Sequence, residues 1–177
     1  MGLFDRFRRR DSAQPDVSAW WQAANALTAA PTSDAVAALK ATTVNAAEAP
    51  DLAEAQDEML EGLEALLDLT QSAQSPLPVL DTQHRVIGAD TCHYMAPASL
   101  IDQVDSGGKV FVTSARVIFA AGTVVSWPWH QIVRVQREER DLVLELKGRP
   151  GVRLRLNTYE GALVMAALAG RLSTNRP

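Results

Sequence analysis

Apolar positions along this chain follow one period and then another. Between residues 16 and 73 they recur every three to four positions, the spacing of one helix face. Asp16 is placed to cap a helix bearing Trp20, Trp21, Ala24 and Leu27, which Pro31 ends. Ser33 or Asp34 caps a second helix, with Val36, Leu39 and Val44 toward one side. Pro50 suits a first helical position, where its missing N–H is no loss, and Asp51 and Glu54 suit the positive helix end. The third helix then carries Leu52, Met59, Leu60, Leu63, Leu66 and Leu67 on a broad apolar stripe, with Asp57, Glu58, Glu61, Glu64 and Asp68 opposite. A stripe that wide must pack on something: the other helices, the second half of the chain, or a partner.

Beyond Ser75-Pro76-Leu77-Pro78, whose prolines cannot continue a helix, the period drops to two. Strands are expected over residues 91–95, 110–113, 116–120, 123–127, 132–138, 141–147 and 152–157. Asp105-Ser106-Gly107-Gly108 and Ala121-Gly122 supply turns. The last strands alternate cleanly: Leu142, Leu144 and Leu146, then Val152, Leu154 and Leu156, with Glu145, Lys147, Arg153 and Arg155 on the reverse. That pattern is a sheet with one wet face. Thr158 then caps a last helix with Leu163, Val164, Ala167, Leu168 and Leu172 apolar.

Composition supports the same division. Residues 16–73 hold 17 Ala and three Val, while residues 108–157 hold nine Val, the balances of a helical region and of a sheet. The 177 residues are 47% apolar, which excludes a wholly disordered chain, and no run of 18 apolar residues offers a transmembrane helix. The organisation expected is a basic amphipathic or unstructured 1–15, an acidic helical 16–74, a proline-containing linker 75–84, a sheet domain 85–172 and a tail 173–177. Nothing near the start marks secretion, so the expected compartment is the cytoplasm.

Charge is uneven. The net −4 comprises +3 over residues 1–10, −10 over 11–76 and +3 over 77–177. Leu3, Phe4 and Phe7 fall on one side of a short helix ringed by Arg6, Arg8, Arg9 and Arg10, a pattern suited to weak, salt-sensitive contact with anionic membrane. The alternative is a solvated terminus. Arg134, Arg137, Arg140, Lys147, Arg149, Arg153 and Arg155 all lie in the last three strands and their turns. They form a solvated face, a receptor for the acidic helices or another acidic protein, or a surface for anionic lipid or nucleic acid. Nucleic acid is the weakest of these and is not expected as a partner, because no aromatic residues interleave the basic ones and the overall charge is negative.

Catalytic signatures are missing. His84, His93 and His130 are far apart, Cys92 and His93 point to opposite faces of one strand, and no HExxH, GxSxG, P-loop or GxGxxG spacing occurs. One thiol and three histidines make no zinc framework. No cofactor and no enzyme are expected.

Seven strands followed by one amphipathic helix resemble the pleckstrin-homology-like superfold, and within it the GRAM and bacterial PH-type branch. The residues that carry the resemblance are His93-Tyr94-Met95-Ala96-Pro97-Ala98, then Gly108-Lys109-Val110-Phe111-Val112-Thr113-Ser114-Ala115-Arg116-Val117-Ile118-Phe119, then Trp127-Pro128-Trp129-His130-Gln131-Ile132. It covers roughly residues 85–172 and implies an α+β chain: an N-terminal helical region, then a seven-stranded antiparallel, partly open barrel closed by a C-terminal helix. Relatives that bind phosphoinositides use basic residues in the loop after the first strand. Here residues 99–108 contain Asp102 and Asp105 and no basic residue, which argues against that ligand. Trp127 and Trp129 either fill the barrel or stand as an exposed binding pair, since aromatics dominate interface hot spots. The function expected is a non-enzymatic cytoplasmic binding or scaffold protein. A protein partner, or a second copy through exposed sheet edges, would be recognised by the helical stripe, the Trp127/Trp129 edge and the basic strands. A peripheral membrane adaptor held by residues 1–10 is the alternative.

Overall fold

A computed structural model describes residues 16–72, 75–82, 84–101 and 107–174. The expected basic N-terminal segment, Leu3 to Arg10, lies outside them. Three helices come first: α1 (Val17–Leu27), α2 (Ser33–Lys40) and α3 (Pro50–Gln71). Seven strands follow: β1 (Cys92–Leu100), β2 (Gly107–Thr113), β3 (Arg116–Ala120), β4 (Val124–Pro128), β5 (Ile132–Glu138), β6 (Asp141–Leu146) and β7 (Val152–Leu156). Helix α4 (Tyr159–Thr174) ends the described chain. The sheet is antiparallel throughout, in the order β4-β3-β2-β1-β7-β6-β5, so β4 and β5 are its two edges. An open seven-stranded antiparallel sheet plugged by a C-terminal helix is the expected pleckstrin-homology-like architecture. Among the described residues, no helix is long and apolar enough to cross a membrane.

The helix starts follow from local chemistry. Asp16 accepts the Ala19 N–H at 3.1 Å, Pro50 opens α3, and the Thr158 hydroxyl accepts the Gly161 N–H at 3.0 Å. Helix α2 is capped by Thr32 rather than by Ser33 or Asp34, and it ends at Lys40, leaving Val44 outside. The Val44 N–H instead meets the buried Gln56 side chain on α3 (2.9 Å).

Two strand features depart from expectation. Strand β1 continues through Pro97 to Leu100, five positions beyond the expected end at Met95. The ladder with β7 begins only at Ala98, so on that side Pro97 stands at an open edge, where a residue without an N–H is tolerated. The reverse face of β2 and β3 is also not wet. Phe111 and Ile118 are buried there with Ile87 and Cys92, beneath residues 84–90. The stretch expected as a linker runs beside β1, where the Leu80 N–H donates to the Cys92 carbonyl at 2.8 Å.

Alternation places Val110, Val112, Val117, Phe119, Leu142, Leu144, Leu154 and Leu156 inside the barrel, and Ala162, Met165 and Leu168 of α4 plug it. The opposite side of α4 offers Leu163 to a second core built from Trp20, Val36, Leu39, Met59, Leu60, Leu63 and Leu66. The apolar stripe of α3 is therefore covered within the chain. Contact is closest at Gly62, where a Cβ would sit 2.5 Å from Leu163 Cδ1 and 3.0 Å from Glu160 Cα.

A polar clamp borders that contact. Arg140, in the β5–β6 turn, reaches Glu58 of α3 (3.0 Å) and covers the Tyr159 ring at 4.6 Å. Tyr159 in turn meets Trp21 (centroids 4.9 Å apart), and its N–H donates to Glu58 at 3.1 Å. Glu139 beside it adopts a left-handed φ of 54°, a conformation costly for a residue with a Cβ. Along the same seam, burial and the neighbouring Glu61 and Glu58 raise the pKa of Glu160. Burial, with Glu160 nearby, pushes the Tyr94 hydroxyl up to about 12.

Two measurements test this seam. In an open helix Gly→Ala gains up to about 1 kcal/mol of propensity, but overpacking costs roughly 1–3 kcal/mol. Gly62→Ala is therefore expected to destabilise the chain in urea titration. Gly170→Ala in α4, with nothing within 4 Å of its Cβ position, should stabilise it by roughly 0.5–1 kcal/mol. The second concerns pH. A raised Glu160 binds its proton more tightly folded than unfolded. Its contribution to stability therefore falls as pH rises from the ordinary glutamate range through the raised folded value. Glu160→Gln should flatten that slope and raise the urea midpoint at neutral pH.

Candidate functional site

The basic residues of the last three strands do not share one fate. Arg153 and Arg155 converge from β7 on Asp141 at the start of β6, whose side chain is only 5% exposed. Arg155 Nε donates to its Oδ1 at 2.8 Å and Arg153 Nη1 to its Oδ2 at 3.2 Å; Arg153 also pairs with Glu138. The register explains the convergence, because Asp141 stands opposite Arg155 in the β6–β7 ladder. The hydrogen bond and charge of Asp141 raise the Arg155 pKa further above its ordinary value.

Arg137 and Arg140 turn to the helical region. Arg137 donates to the Asn25 side chain on α1 and to the Glu139 carbonyl, and its burial lowers its pKa. These two residues are the part of the basic set that receives the helices. Arg134 lies along β5 beside Gln136, whose amide oxygen, oriented to satisfy both groups, accepts from Arg134 Nε at 3.2 Å.

Lys147 and Arg149 remain, in the β6–β7 turn closed by Gly148 in its left-handed conformation (φ 69°). Arg149 donates to the neutral Gln131 side chain, and the Lys147 ammonium has no hydrogen-bond or ion-pair partner among the described residues. Beside them is a cleft of about 260 Å³ lined by Leu100, Val125, Trp127, Leu146, Pro150 and Val152, with Arg149 the one charged residue in its wall among the described residues. Val124, 56% exposed, and Ile101 directly adjoin two of these lining residues in sequence. The neighbouring connection with Asp102 and Asp105 lies outside the described residues. Of the eight residues expected to bind a partner, the structure brings Arg149 and Trp127 together in the wall of an apolar cleft that the sequence does not show, and Lys147 follows the lining residue Leu146 in sequence.

The tryptophans do not form an exposed pair. Trp129 is 5% exposed, and its indole N–H donates to the Thr113 carbonyl at 2.9 Å; Trp127 is 4% exposed in the barrel wall. Their bulk completes the corner between β4 and β5, and Trp127 reaches the site only as cleft wall. Thr113 and Arg116 are structural too. The buried Thr113 hydroxyl accepts the Arg116 N–H (3.0 Å), and Arg116 Nε pairs with Asp90 at 2.8 Å. Asp90 carries no motif of its own, and only the fold brings it to Arg116.

The remaining reactive side chains are dispersed. Cys92 is buried, which raises its thiol pKa, and His93 Nδ1 lies 2.8 Å from the Pro78 carbonyl. No group of His, Cys, Asp or Glu that could hold a metal occurs among the described residues.

No family model matches the chain, and no curated protein matches it. Solved structures do. The Vps36 N-terminal PH domain is similar at 17% identity, with a TM-score of 0.44 over 55% of this chain and 92% of that one. The C-terminal domain of an unknown protein from Leishmania infantum is similar at 13% identity, with a TM-score of 0.42 over 49% and 88%. The linker-DH/PH domains of p115-RhoGEF, N-terminally truncated, give 9% identity and a TM-score of 0.43 over 91% of this chain. This chain spans 55% of that structure.

The two classes of cation separate in a stability measurement. Arg153→Glu with Arg155→Glu strips a buried carboxylate of both partners, which is destabilising. The doubly reversed chain should unfold at clearly lower urea. Lys147→Glu with Arg149→Glu touches exposed groups and should stay within about 0.5 kcal/mol of the parent.

Proposed function

We propose that this chain is a non-enzymatic binding module that recognises a protein partner at the cleft beside Lys147 and Arg149. One observation carries the reading: an apolar cleft stands next to two cations that no carboxylate among the described residues neutralises. Exposed apolar surface rimmed by charge is the pattern of an interaction site, and the charges add orientation and encounter rate. In this reading the chain is a GRAM-type member of the superfold working in the cytoplasm. The helical region then acts as a docked support layer rather than as the binding surface, because its apolar stripe is covered by α4.

The test is photo-crosslinking in cells from a benzophenone amino acid at the exposed Val124. Protein adducts are expected that disappear when Lys147→Glu and Arg149→Glu are introduced. An adduct pattern indifferent to those changes removes this reading. The membrane-adaptor alternative rests on Leu3, Phe4, Phe7 and the four arginines at positions 6 and 8–10. Flotation with phosphatidylserine vesicles addresses it directly. Salt-sensitive flotation that vanishes on deleting residues 1–10, with no charge-dependent adducts from Val124, puts the adaptor in first place.

A further inference from the structure

We infer that the cleft takes an acidic segment of the partner, with one large apolar side chain inserted and flanking carboxylates on Lys147 and Arg149. This rests on the binding-module reading above and names the chemistry of what it binds. Size comes first. A cleft of about 260 Å³ falls below the roughly 300–1,000 Å³ typical of pockets that enclose a whole small molecule. It suits a single inserted side chain. Among the described residues the wall is apolar apart from Arg149, and Val152 of β7 faces it with Val125 and Trp127 of β4, so an inserted group meets side chains held in the sheet.

Charge then selects the flanks. Among the described residues Arg149 donates to one group, a neutral amide oxygen, and a guanidinium carries five donors in a planar fork suited to carboxylate. Lys147 stands two residues before it across the same turn. Among the described residues no carboxylate lines the cleft, so a basic segment would meet the Arg149 cation there and no opposite charge from them. Two cations are too few to hold a membrane surface, where stable attachment takes more than one anchoring signal. An acidic chain that also fills the cleft satisfies both the apolar wall and the charges.

The experiment uses fluorescence anisotropy with the full chain and three synthetic peptides. One has a phenylalanine flanked on each side by two glutamates. The second replaces the phenylalanine with glycine, and the third replaces the glutamates with lysines. Saturable, salt-sensitive binding is expected for the first. The glycine peptide should be weaker by roughly tenfold or more, the loss set by one large buried apolar side chain, and the lysine peptide weaker because its charges face Lys147 and Arg149 with like sign. Lys147→Glu with Arg149→Glu should reverse the preference toward the lysine peptide. Equal binding of the glycine peptide overturns the inserted side chain, and equal binding of the lysine peptide overturns the acidic flanks. No saturable binding while Val124 adducts still depend on Lys147 and Arg149 overturns the acidic class and leaves the binding module standing. Loss of both dependences removes both. Phosphatidylserine vesicles that bind through Lys147 and Arg149 would overturn the peptide in favour of lipid.

Discussion

The approach of α3 to α4 at Gly62 is the contact on which the rest of the molecule depends. Helix α4 must serve two cores at once. Ala162, Met165 and Leu168 close the barrel, while Leu163 enters the helical cluster. A helix can do this only if small residues let its neighbours come near, and Gly62 removes the last obstacle on the α3 side. The cost is a glycine inside a long helix, about 1 kcal/mol of propensity, offset by burial of Met59, Leu60, Leu63 and Leu66 at roughly 1.5–3 kcal/mol for each fully buried side chain. Burial dominates, so the helical region is a structural layer of the protein. Arg140, Glu58 and Tyr159 fix where that layer sits, and the left-handed Glu139 is the strain accepted to aim Arg140.

Charge is sorted by the same geometry. A net charge of +3 over residues 77–177 says little, because the sheet register decides which arginines meet carboxylates. Arg153 and Arg155 share a face with Asp141 because antiparallel pairing puts Asp141 opposite Arg155. Arg137 and Arg140 are drawn to the helices by the β5–β6 turn. Lys147 and Arg149 lie at the other end of β6, away from both sets of partners. Their charge faces solvent beside the cleft for a topological reason rather than through any local sequence pattern.

What the sequence revealed, and what it hid, divides along the range of the interactions. Alternation in 141–157 and the caps at Asp16, Pro50 and Thr158 are local, and they were legible residue by residue. Pairing partners are not local. Pro97 reads as a strand end until the limit of the β7 ladder is known, and Phe111 reads as outward-facing until residues 84–90 cover it. Asp90 and Asp141 gain their roles from strands more than ten residues away. The Trp-Pro-Trp run was ambiguous because tryptophan suits both a core and an interface. The Trp129 hydrogen bond to Thr113, between distant positions, decides it. The cleft escaped for the same reason: its wall is assembled from β1, β4, β6 and β7, with Pro150 from the turn.

Strand β6 connects the two regions that matter. It begins at Asp141, next to the Arg140 clamp, and ends at Leu146 in the cleft wall, with Leu142 and Leu144 fully buried between. A rigid connection is not in itself a signal, since coupling requires an element with two arrangements that both ends bias. Both neighbours of β6 are laddered to it, and its inward side chains are locked in the barrel core. It therefore acts as a spacer. The clamp end holds the helical layer in place, and the cleft end stands at the far side of the same buried strand, on the core that supports it.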